Sequence, residues 1–388
     1  PGIGLATNGA AGAVGGGLSA VWGDLLSERR LAVALQAQGS VRDVGGQIQY
    51  LNQASRWNWF LTAGRTPVAN AANATRPVAV RDGAGGERQA ALLERGVVRT
   101  FFDQVGAGAQ YPFSRTRRVE LAVTGTRVSQ ALDVRQTLVV GGRVASDRAL
   151  RGAGAPAFVY GQTTLALVGD DARFGPVGPI GGGRWRLEVG RTFGALAHGT
   201  VLADARRYLA LGRTTLAVRG FHYGRYGRDA EHGMLPPLFV GERQLVRGYA
   251  AGSFEAAECV GAPGAGPAFG GCPAVDRLRG SRLAVASVEW RLPLSGVRHW
   301  SLFRGGPPIE LAPFVDAGVA WRAGDGPRLN ARALIDRPAA GSTARVPVFG
   351  AGLAARINAG PVIVEGFWAR PLQRDRPGVF GVNLAPSW

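Results

Sequence analysis

LAVASVEWRLPL at residues 283–294 and IELAPFVDAGVAW at residues 309–321 decide the fold. Side chains on an extended strand alternate between two faces. In the first run Ala284, Ala286, Val288, Trp290, Leu292 and Leu294 share one face, and Ser287, Glu289 and Arg291 share the other. In the second run Ile309, Leu311, Pro313, Val315, Ala317, Val319 and Trp321 lie on one side, opposite Glu310, Phe314 and Asp316. Long strands with an apolar outer face and a charged inner face are the pattern of a transmembrane β-barrel with a polar lumen.

The same alternation runs along the chain. Leu31, Val33, Leu35 and Ala37 alternate with Gln36 and Gln38; Val119, Leu121 and Val123 with Arg118 and Glu120; Trp185, Leu187 and Val189 with Arg184, Arg186 and Glu188. Sixteen strands are expected, at about 15–23, 30–40, 46–52, 57–65, 88–97, 100–113, 116–130, 157–171, 182–193, 199–211, 213–226, 281–294, 308–321, 345–358, 361–371 and 377–388. Most reach the roughly 9–14 residues that tilted membrane strands need. The fold class is therefore all-β, a sixteen-stranded antiparallel transmembrane barrel spanning residues 1–388 as one domain. Long connections are expected at 66–87, 131–156, 228–280 and 322–344. The loop 228–280 far exceeds the usual ceiling of about 12–15 residues for a connection without structure of its own, which marks it as functional or disordered. Trp22, Tyr50, Trp57, Trp59, Tyr111, Trp321, Trp368 and Trp388 at strand ends suit aromatic girdles at a bilayer interface.

Composition agrees. Gly contributes 60 of 388 residues, about twice the usual ~7%. No 18-residue run is apolar enough for a membrane helix. The formal net charge is +18, and every basic residue is Arg. These arginines are spread through strands and turns rather than gathered in one patch, so the expected partners are lipid and lipopolysaccharide phosphates rather than nucleic acid. The sequence starts without Met or a signal peptide, and is read as a fragment of a longer precursor.

Cys259 and Cys272 lie in the same Gly/Pro-rich loop. They read as a disulfide in an oxidising compartment, the other reading being two unpaired loop thiols. With no CxxC and no nearby His, a metal site is not expected. His198, His222, His232 and His299 occur in unrelated contexts, and no GxSxG, HExxH or P-loop occurs. The expectation is a protein without catalysis or cofactor.

Three features carry a family resemblance: Val246-Arg247-Gly248-Tyr249 in the long loop, Glu289 on the next strand, and Phe314, Asp316 and Gly318 on the strand after that. Together with the C-terminal aromatic Trp388, they resemble the barrel of the BamA/TamA family of outer-membrane assembly proteins, the bacterial surface antigens. Residues 45–59 are similar to members that carry a TolB-like β-propeller before the barrel. The resemblance implies that Arg247 folds into the lumen and meets Glu289 and Asp316, with Gly248 allowing a tight turn and Tyr249 packing on the wall. It also implies a lateral gate between the first strand, weakened by Gly15, Gly16 and Gly17, and the last, interrupted by Pro386. Client outer-membrane proteins would enter there by strand pairing. The barrel is expected to act as a monomer.

Overall fold

The structure, a computed structural model, describes residues 2–4, 15–26, 28–38, 40–81, 86–259, 272–295, 307–329, 342–359 and 362–386. The strands are β1 (Gly2–Gly4), β2 (Gly15–Gly23), β3 (Arg29–Gln38), β4 (Ser40–Asn52), β5 (Asn58–Arg81), β6 (Glu87–Pro112), β7 (Arg117–Val140), β8 (Arg143–Ala153), β9 (Phe158–Asp170), β10 (Arg173–Phe174), β11 (Pro179–Gly194), β12 (Gly199–Leu211), β13 (Thr214–Tyr226), β14 (Leu238–Phe239), β15 (Arg279–Gly280), β16 (Arg282–Ser295), β17 (Ile309–Trp321), β18 (Val348–Asn358), β19 (Val362–Pro371) and β20 (Val379–Pro386). Eighteen of them share one sheet, while β14 and β15 pair separately. Sixteen have eight residues or more, so the expected number of long strands is met.

The make-up of that sixteen differs from the expectation. The strands expected at 88–97 and 100–113 are one continuous strand, β6, which ends at Pro112. The connection expected at 66–87 carries β5 as far as Arg81. The one expected at 131–156 is a hairpin, in which β7 runs to Val140 and β8 begins at Arg143. Gly141 and Gly142, with φ of 55° and 79°, make the two-residue turn. That geometry matches the twist of a hairpin and is closed to most other residues. Arg135 reaches across this hairpin to Asp147. With charged residues on both faces the alternation disappears, yet the backbone ladder holds the strands.

Two compact units make up the chain, Pro1–Ala107 with Val123–Gly161, and Gly108–Ala122 with Gln162–Trp388. In the first, β2 pairs with β3, β3 with β4, and β7 with β8. The other edge of β2 is met at Gly17, Leu18 and Ser19 by β1. Arg99, its side chain largely withdrawn from solvent, bridges Asp43 and Asp133.

In the second unit β11, β12, β13, β16, β17, β18, β19 and β20 follow one another as antiparallel neighbours. Val288, Trp290 and Val315 are exposed, whereas Glu289, Phe314 and Asp316 are buried. Over these residues the alternation read from the sequence is thus the alternation of exposure, whereas Val319, expected on the apolar outer face, is buried. Leu187, Val189, Leu353, Trp368 and Val382 extend the exposed apolar face. A soluble monomer rarely shows so much contiguous apolar surface. The long connection between β13 and β16 covers the opposite, inner face.

Candidate functional site: an in-folded loop and its arginine anchors

β13 and β16 are the eleventh and twelfth of the long strands, and Val246–Tyr249 lies on the connection between them. The connection is built rather than slack. It contains the β14–β15 ladder, two single 3-10 turns (Ala251–Ser253 and Ala256–Glu258) and the short helix α1 (Pro273–Asp276). Cys259 and Cys272 are joined in a disulfide. Val240, Val246, Tyr249, Phe254, Val275 and Leu278 form a core with both cysteines and pack on Leu283, Val285, Ala320 and Val348 of the wall. Fully burying each Val or Leu contributes about 1.5–3 kcal/mol, which is how a connection of this length acquires a defined position.

Arg247 lies at the centre of this contact. Its Nε and Nη2 donate to Asp316 Oδ2 and Oδ1 at 2.7 and 2.9 Å, and its backbone N–H donates to Oδ2 at 3.2 Å. Nη1 is 3.0 Å from Glu289 Oε1. The guanidinium carbon lies 3.3 Å from the centre of the Phe314 ring, a cation–π stack that favours Arg over Lys. Arg247 is 6% exposed and Asp316 1%. Burial opposes the charged form of Arg247, but the bonds to Asp316 and the charges of Asp316 and Glu289 outweigh it and hold the guanidinium above its ordinary value.

Gly248, at φ 95°, takes the left-handed turn that brings Tyr249 to the wall. There the Tyr249 hydroxyl donates to Gln373 Oε1 at 2.7 Å and accepts from the Gln373 backbone N–H at 3.2 Å. A Cβ at Gly318 would stand 2.5 Å from Val246 Cγ2 and 2.6 Å from Val240 Cγ2. At Gly350 it would strike the carbonyl oxygen of Arg247. Both strands therefore lack side chains where the loop lies on them.

Two parts of the site were not singled out in the sequence. The first is the charge network behind Arg247. Glu289 accepts from Arg291 at 3.0 Å and from Arg356 at 2.8 Å. Arg356 also bonds Glu310 at 3.0 Å and Glu365 at 2.6 Å. Three guanidiniums thus meet four carboxylates, counting Asp316. Inner-face position on β18 and β19 was the available signal for Arg356 and Glu365.

The second is Arg374, on the turn between β19 and β20. Its Nε and Nη2 donate to the Glu258 carboxylate, each at 2.8 Å, and Nη1 donates to Gly248 O at 2.9 Å. Nη1 and Nη2 also reach Ser253 Oγ and Ser253 O at 2.8 and 2.7 Å. The guanidinium lies 3.7 Å from the Phe254 ring centre. Burial disfavours the Glu258 carboxylate, but the Arg374 hydrogen bonds outweigh it and hold the group below the usual range. Nothing in an isolated turn sequence marks such a residue; only the folded loop brings it a partner.

The residues expected at a gate lie at strand ends. Gly15, Gly16 and Gly17 open β2, and Pro386 closes β20. Trp388 lies outside the described residues.

A large antiparallel sheet, apolar outside and charged inside, with a long loop anchored on its inner face, defines a fold of the transmembrane β-barrel class. Solved structures place it more closely. BamA from Haemophilus ducreyi lacking POTRA domains 1–3 superposes with a TM-score of 0.56 at 12% identity, over 96% of this chain and 68% of that one. CdiB from Acinetobacter baumannii gives 0.52 at 12% identity, over 97% of this chain and 57% of that one. The chain has a BamA-like barrel fold. No protein-family model and no curated protein matches its sequence.

Proposed function

We propose that this chain is the outer-membrane barrel of a BamA/TamA-like protein of a Gram-negative-type bacterium, which assists the insertion or translocation of proteins at that membrane. The observation that carries the reading is the buried Arg247–Asp316–Glu289 contact, which holds the loop on the inner face of a barrel with the BamA fold. The exposed apolar face suits a lipid environment, since a membrane sheet must pair its backbone internally and turn apolar side chains outward. The loop acts as a positioned element, fixed from the wall by Arg247 and from the neighbouring turn by Arg374. Gly15–Gly17 and Pro386 are the weak points at which the barrel opens to a client strand, which backbone pairing would accept with little regard to its sequence. The partners are lipids, lipopolysaccharide and client outer-membrane proteins. The barrel works as a monomer, without cofactor or covalent chemistry.

The test is Asp316→Ala in the native host. Reduced outer-membrane protein assembly with normal levels of the variant supports the reading. Normal assembly with raised conductance supports instead a loop-gated pore, which the cavity of about 470 Å³ beneath the loop favours. No change in either leaves a membrane anchor.

A further inference from the structure

That cavity contains a charge arrangement that the loop anchor does not use. Arg206 of β12 and Arg219 of β13 are direct cross-strand partners. Like charges directly opposite one another destabilise a sheet unless an anion lies between them. Asp204 is that anion. It accepts from Arg206 Nε and Nη2 at 3.2 and 2.7 Å and from Arg219 Nε and Nη2 at 3.1 Å each. One carboxylate thus serves two guanidiniums.

A third guanidinium joins them. Arg243, on the loop, lines the same cavity, and no hydrogen-bond acceptor meets its side chain among the described residues. Its sequence neighbour Glu242 does not line the cavity and makes no hydrogen bond to it among those residues, and acts on it through its charge alone. Among the described residues Asp204 is the one carboxylate bonded within this group of three guanidiniums, so their N–H donors outnumber its acceptors. The Tyr208 side chain lines the cavity as well. Glu289, Asp316 and Glu365 also face the cavity, but they are held, with Glu310, in the separate ion-pair network of Arg247, Arg291 and Arg356.

We propose that Arg206, Arg219 and Arg243 form a binding site for a phosphate group. A phosphate monoester, which carries about −1.5 to −2 at neutral pH, offers the acceptor oxygens that one carboxylate leaves these guanidiniums short of. Guanidinium groups offer paired N–H donors to its oxygens. Cavity walls of low polarisability concentrate the field and raise the local anion concentration. Since Arg243 comes from the loop and Arg206 and Arg219 from the wall, a bound phosphate ties the two together. The site depends on the charge arrangement alone and stands whichever role the barrel has.

The experiment is calorimetric titration of the whole protein in detergent with inorganic phosphate, and separately with glycerol phosphate as a soluble headgroup. Saturable phosphate binding that weakens about tenfold in Arg243→Gln, with the unfolding temperature unchanged, is the expected result. Asp204→Asn, which removes the internal anion, is expected to tighten binding. Stronger binding of glycerol phosphate assigns the site to a headgroup, and equal binding assigns it to free phosphate. Absence of saturable binding, or binding equal in wild type, Arg243→Gln and Arg219→Gln, overturns the proposal.

Discussion

Arg247 and Asp316 meet through three hydrogen bonds, two from the guanidinium and one from the backbone N–H of Arg247 itself. The carboxylate therefore fixes the path of the loop main chain as well as the side chain. A cation that only neutralised Asp316 would leave that path free.

Asp316→Ala leaves Arg247 buried with Glu289 as its remaining acid and its backbone N–H without an acceptor. Removing one partner of a buried pair costs about 3–5 kcal/mol. The variant is expected to expose residues 227–259 to protease at a concentration that leaves the wild type intact. Unchanged protection of those residues would show that the apolar loop core alone holds the loop.

Gly318→Val and Gly350→Ala test the same seat without touching a charge. A Cβ at either position meets Val246 or the Arg247 backbone. Both variants should loosen the loop as Asp316→Ala does, in the same protease assay, with the Arg247 and Asp316 side chains intact. Gly366, where an added Cβ meets nothing within 4 Å, is the control.

The Arg374–Glu258 contact makes loop anchoring sensitive to acid. The folded-state Glu258 carboxyl is held below its unfolded value by Arg374. Its contribution is therefore complete above the unfolded value near ~4.3 and is lost as pH falls through the lower folded value. Protease accessibility of residues 251–259 should rise at that acid limb in wild type. In Arg374→Gln it should be raised at every pH and show no such limb.

Tyr249 responds at the opposite end of the pH scale. Burial pushes its hydroxyl up to about 12. Stability from the protonated phenol is complete below about 10, its unfolded value, and is lost as pH rises toward the folded value. Absorbance titration should show one tyrosine ionising after the others, and Tyr249→Phe should remove that step. The Phe variant should also lose about 1–3 kcal/mol, because the Gln373 polar groups lose a buried partner.

Legibility in the sequence followed the physics of each part. Strands β16 and β17 could be read residue by residue, because one face meets an apolar surround and the other a charged interior. Glu289, Phe314 and Asp316 fell on the correct side for that reason. β5, β6 and β7 run to 24–26 residues, longer than a bilayer requires. Toward their ends polar side chains occupy both faces, as at the consecutive residues Asp147 and Arg148 of β8, so periodicity gave no guide to β8. Residues of the loop could be assigned to one long connection but not to a core, because the alternation of apolar and Gly/Pro residues there has no period. Arg356 and Arg374 are single arginines among 45 basic residues, and only contacts across the fold distinguish them.

The central claim is that Arg247 and Asp316 act by holding the loop against the wall. A tether in place of the ion pair tests it most directly. Val246 and Gly318 lie side by side, the Val246 side chain reaching 2.5 Å from an added Cβ at Gly318, which makes them the pair to cross-link. Val246→Cys and Gly318→Cys, with Val240→Ala to clear the 2.6 Å contact of the new Cβ with Val240 Cγ2, would be combined with Asp316→Ala in the native host, and outer-membrane protein assembly compared with the cross-link oxidised and reduced. The account predicts assembly near the wild-type level when oxidised and defective assembly when reduced. Assembly that stays defective with the cross-link formed would show that Asp316 does something other than hold the loop, and would contradict the account.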